Sequence, residues 1–154
     1  MDPVEQISSN VQTRVDGLGA EIIRYAEKKQ DISEIRDLSE ADRAEKISGA
    51  RDLLDQRMDA AFGEDEESID AEIQRIVEAS KSQETARERA IAAAEIWRQE
   101  LPGLRQFLEY CGGMIAAHQG KATQELRESQ KCLTEASCVM DKISARVRQA
   151  VEGK

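Results

Sequence analysis

The 154-residue chain carries 31 acidic and 22 basic side chains, for a formal net charge of −9. Leu, Ile, Val and Phe occupy 31 positions, at the edge of what a charged chain needs to fold, but Ala, Glu, Lys, Leu and Arg occupy 71 and proline only two. That composition excludes a sheet protein, which needs more β-branched, aromatic and turn residues, and it selects long helices or coiled coil.

The first helix is predicted over 3–30. Asp2 is its cap, and Pro3 sits in the first turn, where a missing N–H costs nothing. The apolar stripe Val4, Ile7, Val11, Val15, Leu18, Ile22 and Tyr25 steps by three or four residues and must be buried on one side. Gly17 and Gly19 flank Leu18. Each costs about 1 kcal/mol against alanine inside a helix, so the pair marks either a local weak point or a close crossing or bend. Residues 31–39 form a connector with three partly buried anchors, Ile32, Ile35 and Leu38.

The second helix is predicted over 40–62. Ser39 and Asp42 give a capping-type start, and Glu40 adds charge that favours the helix dipole. Its stripe is Ala44, Ile47, Ala50 or Arg51, Leu54, Met58, and Ala61 or Phe62, with Gly63 as the stop. Glu64, Asp65, Glu66 and Glu67 then precede the third helix, where exposed N–H groups stabilise negative charge. They read as a solvated helix start. The ligand spacing and internal glycine of a calcium loop are missing.

The third helix is predicted over 68–101. It opens on Ile69, Ile73, Ile76 and Val77. Residues 80–89 then hold one apolar residue, Ala86, and read as a solvated section or a break. The stripe returns with Ala90, Ala94, Trp97 and Leu101. Pro102-Gly103 follows, and a tight hairpin turn there is the preferred reading, with a kinked continuous helix as the alternative. The fourth helix is predicted over 104–151, with a stripe through Leu104, Leu108, Cys111, Ile115, His118, Ala122, Leu126, Ser129, Leu133, Ala136, Met140, Ile143, Val147 and Ala150. Such length at heptad-like spacing points to coiled-coil packing.

Charge is uneven along these elements. Residues 39–68 sum to −6 and residues 102–154 to +2, so the two segments can attract each other within one fold or between subunits. The acidic balance opposes nonspecific binding to nucleic acid. No stretch approaches the ~18 apolar residues of a membrane span, so no membrane insertion is expected. The start, Met1-Asp2-Pro3-Val4-Glu5, lacks the pattern of a secretory signal. Cys111, Cys132 and Cys138 form no CxxC pair. Cys132 and Cys138 lie about 240° apart around a helix and cannot bridge within it. Reduced thiols and a cytoplasmic location are the expectation, with a lone interfacial disulfide as the alternative.

Catalytic motifs are missing. His118, the single histidine, lies on the presumed apolar face and reads as a partly buried structural side chain. Zinc ligation and the Glu-x-x-His di-iron motif have no matching residues around it. Cys111 lies two helical turns away, ~10 Å, too far for a nucleophilic pair. No phosphate loop, GxSxG, HExxH or dinucleotide fingerprint occurs. A non-enzyme with no cofactor and no metal is therefore expected.

The sequence thus predicts one all-α domain over 1–154, a four-helix bundle-like fold whose last two helices form a long antiparallel hairpin. The function expected is a non-catalytic protein–protein interaction module, an adaptor, chaperone or regulator, binding a protein partner or a second copy as a homodimer. Apolar helix seams would carry the contact, with Tyr25, Trp97, Phe107, Tyr110, Leu126, Leu133, Met140, Ile143 and Val147 as candidate anchors. The alternative is an acidic inhibitor or nucleic-acid mimic that blocks a basic site through Asp52, Asp55, Asp59, Glu64, Asp65, Glu66 and Glu67.

Overall fold

The computed structural model describes residues 2–117 and 122–152. They form five helices and no strand: α1 (Pro3–Glu34), α2 (Glu40–Phe62), α3 (Ile69–Ala79), α4 (Glu84–Ala117) and α5 (Ala122–Glu152). The all-α expectation holds, as does the pairing of the last two helices. The number and limits of the helices differ from those predicted.

Three starts follow their capping chemistry. Asp2 accepts a hydrogen bond from the Val4 N–H, Ser39 from Asp42 and Ser68 from Ala71, each at 3.1 Å. α1 runs one turn beyond the predicted end, because Ile32 continues the stripe and is buried. Ile35 is exposed, not an anchor. The corner after α1 is held by Arg43, whose guanidinium donates to the carbonyls of Ile32 (2.7 Å), Ser33 (2.9 Å) and Ile35 (2.8 Å). These are carbonyls that a helix end leaves without an intrahelical donor.

The predicted third helix is two helices. α3 ends at Ala79, where Ser80 folds its hydroxyl onto the Val77 carbonyl at 2.7 Å. The polar stretch 80–89 thus contains a break, and α4 begins at Glu84.

Pro102 is not a turn. It lies inside α4, which runs on to Ala117. A proline inside a helix costs ~3 kcal/mol or more through its lost hydrogen bond and ring clash. Against that, Trp97, Leu101, Leu104, Leu108, Cys111 and Ile115 stay in one phase across it, and all are buried. Burying each large apolar side chain contributes roughly 1.5–3 kcal/mol, so the continuous stripe outweighs the proline. The hairpin partner of α4 is α5. Cys111 pairs with Cys132 and Glu100 with Arg146, so the helices are antiparallel about a point near residue 122. The connection, with His118, lies outside the described residues.

Cys111 and Cys132 form a disulfide across this hairpin, with Cα atoms 6.0 Å apart, and Cys138 is a free, exposed thiol. The expectation of three reduced thiols fails here, and with it goes the cysteine argument for a cytoplasmic chain. No helix among the described residues is long and apolar enough to cross a membrane.

The five helices fill four rod positions. α1 packs on every other helix. It runs parallel to α4, as the Asp2–Arg89 ion pair and the Lys29 contact with Ile115 show. α2 and α3 follow one another along the fourth rod, antiparallel to α4. Arg105 of α4 reaches Asp59 of α2 at 2.5 Å, and Arg98 reaches Asp70 of α3 at 2.7 Å. The Arg105–Asp59 pair is also where the acidic second segment meets the basic last one. Where α1 crosses α5, Gly19 eases the approach, since a Cβ there would have to displace the tip of the Leu133 side chain. Gly19 therefore marks a close crossing, while Gly17 has open space beside it.

Candidate functional site

A concavity lies between the second half of α1 and the first half of α2. It measures about 540 Å³, within the range of ligand-binding clefts. Its cause is the sequence of α2. The buried residues of that helix are Leu54, Met58 and Ala61, all in its second half. The predicted stripe residues Ala44 and Ile47 stay exposed or half-buried, so the first half of α2 stands against α1 without closing on it.

The floor of the groove is apolar. Tyr25 and Ile32 of α1 and Leu54 of α2 are buried there, beside half-buried Ala50. Ile35 on one side and Leu53 on the other are 43% and 47% exposed. Gly49 has no atom within 4 Å of where a Cβ would stand, so the wall of α2 is open there. Charged groups occupy the rim: Glu21, Arg24, Lys28 and Asp31 from α1, and Lys46 from α2. Arg24 is paired with Glu21 at 2.7 Å. Lys28, Asp31 and Lys46 are exposed.

Two buried contacts fix the floor from behind. Lys29, 5% exposed, donates from Nζ to the Ile115 carbonyl at 2.6 Å and so caps the end of α4. Leu54 leans on Gly112 of α4, where an added Cβ would stand 3.2 Å from Leu54 Cδ2.

The predicted anchors divide sharply. Tyr25, Trp97, Met140, Ile143 and Val147 are buried in the monomer's own core. Phe107 and Leu126 are half-buried against it, and Leu133 is half-buried at the Gly19 crossing. Tyr110 is 63% exposed and stands on the outer face of α4. Of the nine, only Tyr25 belongs to the groove.

The seven residues of the acidic face are all exposed. They are not all unpaired. Asp55 lies 3.9 Å from Arg51, and Asp59 is bound by Arg105. The hydrogen bond from Arg105 to Glu109 raises the Arg105 pKa above its ordinary value, burial offsets part of this, and the charges of Glu109 and Asp59 add to it. That cation is permanently charged and ties the acidic face to α4. No group of three or more His, Cys, Asp or Glu side chains among the described residues is placed to hold a metal ion.

Ile35 and Leu53 are what sequence reasoning missed. Leu53 lies one position off the α2 stripe, beside Leu54, and that off-stripe position is the signal that marks it. The chain matches no family model, no curated protein and no solved structure.

Proposed function

We propose that this chain is a non-catalytic helical interaction module that receives a helix of a partner protein in the α1–α2 groove. One observation carries the reading: the two exposed aliphatic residues Ile35 and Leu53 border an apolar floor between two helices. Grooves of this kind take the apolar face of an amphipathic helix, and an exposed apolar patch in a soluble fold marks an interaction site. Most of the side chains expected to bind are buried or half-buried in the monomer, which favours a surface where two helices stand apart.

The test is selection of helical peptides from a displayed amphipathic library, followed by affinity measurement on the native chain and on Leu53→Glu. Binding lost in Leu53→Glu supports the groove. Equal affinity for both chains overturns it. A homodimer through the same groove is the competing occupant. It would show twice the monomer mass by light scattering, reverting to monomer mass in Leu53→Glu.

A second reading has its own observation, the exposure of all seven carboxylates at Asp52, Asp55, Asp59 and Glu64 to Glu67. An acidic inhibitor of a basic site would bind with strong salt dependence, because exposed charges are screened within ~10 Å at 0.1 M ionic strength. Groove binding would survive salt.

A further inference from the structure

We infer that the helix taken by the groove is acidic along the flanks of its apolar stripe; this rests on the groove reading above and specifies its partner. The rim of the groove sets this charge preference. Arg24 and Glu21 neutralise each other at 2.7 Å. Of the remaining charged lining groups, Lys28 stands on the α1 wall, Lys46 on the α2 wall, and Asp31 beside Lys28 on α1. None of the three makes an ion pair among the described residues, and the sum over the rim is one positive charge.

That sign is opposite to the −9 of the whole chain. Long-range attraction of a cationic helix by the acidic body therefore meets a locally cationic mouth. An acidic helix meets the reverse: repelled by the body as a whole, it finds at the groove two cations, Lys28 and Lys46, that make no ion pair among the described residues. Lys28 and Lys46 rise from opposite walls, so carboxylates on both flanks of one apolar stripe would each meet an ammonium group. The floor supplies Tyr25, Ile32 and Leu54 for the stripe itself. The α1 wall from Glu21 to Ile35 is ~21 Å long at 1.5 Å per residue, which matches a helix of about four turns.

Two synthetic helices of about 14 residues test this. They share one leucine stripe. One carries glutamate on both flanks and the other lysine. At 0.1 M salt, where the field of the acidic body is screened beyond ~10 Å, the glutamate helix is expected to bind the native chain about fivefold more tightly, the scale of two exposed ion pairs. The gap should narrow as salt is added. Lys28→Glu with Lys46→Glu should reverse the preference, and Lys46→Ala alone should remove about half of it. Leu53→Glu should abolish binding of both helices, and circular dichroism should show native helicity in each variant, since all three positions are exposed. Equal affinity for the two helices, with both lost in Leu53→Glu, overturns the acidic partner and leaves the groove standing. Affinity that Leu53→Glu does not change overturns the groove itself. Binding of dodecanoate with no binding of either helix overturns the helical partner in favour of a small amphiphilic anion.

Discussion

Along α4, Ala90, Ala94, Trp97, Leu101, Leu104, Leu108, Cys111 and Ile115 recur every three or four residues, and each is buried. Along α2 the same spacing, through Ala44, Ile47, Leu54, Met58 and Ala61, is buried only from Leu54 onward. α4 contacts each of the other four helices, whereas α2 contacts α1, α4 and, over a short stretch, α3. The contrast shows what an amphipathic pattern fixes. It decides which face of a helix can be buried. Whether that face is buried depends on a neighbour having apolar surface left. By the level of Ile47, α1 has turned Ile22, Ala26 and Lys29 inward, and Lys29 is engaged with the end of α4. Of the apolar side chains of α1, Tyr25 and Ile32 are left to floor a groove with α2.

The largest expected effect separates these two regions directly. Trp97 is fully buried, and its indole N–H has no hydrogen-bond partner among the described residues, so packing alone holds it. Trp97→Ala should cost about 3–5 kcal/mol in chemical denaturation. Leu53→Ala should stay within about 0.5 kcal/mol of the native chain, as surface changes do. A loss above about 2 kcal/mol for Leu53→Ala would mean that α2 closes on α1 in solution, and the comparison would collapse.

Much of α1 and of the closed core is legible in residues. Asp2, Ser39 and the stripe from Val4 to Tyr25 state their own helix starts and buried face, because capping and periodicity are local. Pro102 misleads because proline weighs heavily as a local signal. The opposing evidence, Trp97 and Leu101 in phase with Leu104 and Leu108, is local too but has to be summed across the proline. The Cys111–Cys132 disulfide is not local. Its two residues lie 21 positions apart, and their approach follows from the hairpin register, which depends on placing the reversal after Ala117 and not at Pro102. The groove is least legible of all. It is the absence, among the described residues, of a covering element over Ile35 and Leu53, and spacing within a helix carries no information about what fails to cover it.

Two glycines give the next effect. At the α1–α5 crossing, Gly19→Leu must push Leu133 aside, and overpacking of this kind costs about 1–3 kcal/mol. On the open wall of α2, Gly49→Ala meets nothing within 4 Å and replaces a poor helix former with the best one. It should stabilise the chain by about 0.5–1 kcal/mol. Opposite signs in denaturation midpoints sharpen the comparison. A destabilising Gly49→Ala would show the first half of α2 to be packed more tightly than its exposure implies.

The smallest effect is the most local and bears on how the loosely held half of α2 stays in place. With little buried apolar surface before Leu54, its first turn is fixed mainly by Arg43, which donates to the carbonyls of Ile32, Ser33 and Ile35 at the end of α1. Arg43 is half-buried and sits in no ion pair among the described residues. Its removal therefore takes away charge-assisted hydrogen bonds without leaving an unpaired carboxylate. Arg43→Ala should lower the local opening free energy by about 1 kcal/mol, the scale of a partly solvated hydrogen-bond set. Regions of low contact density open independently of the core. Hydrogen exchange should then accelerate roughly fivefold over residues 44–53. It should not change over 97–108 of α4, where the stripe is closed. Equal acceleration in both segments would show that the first half of α2 unfolds together with the core, so that the groove wall is as firmly held as the bundle it borders.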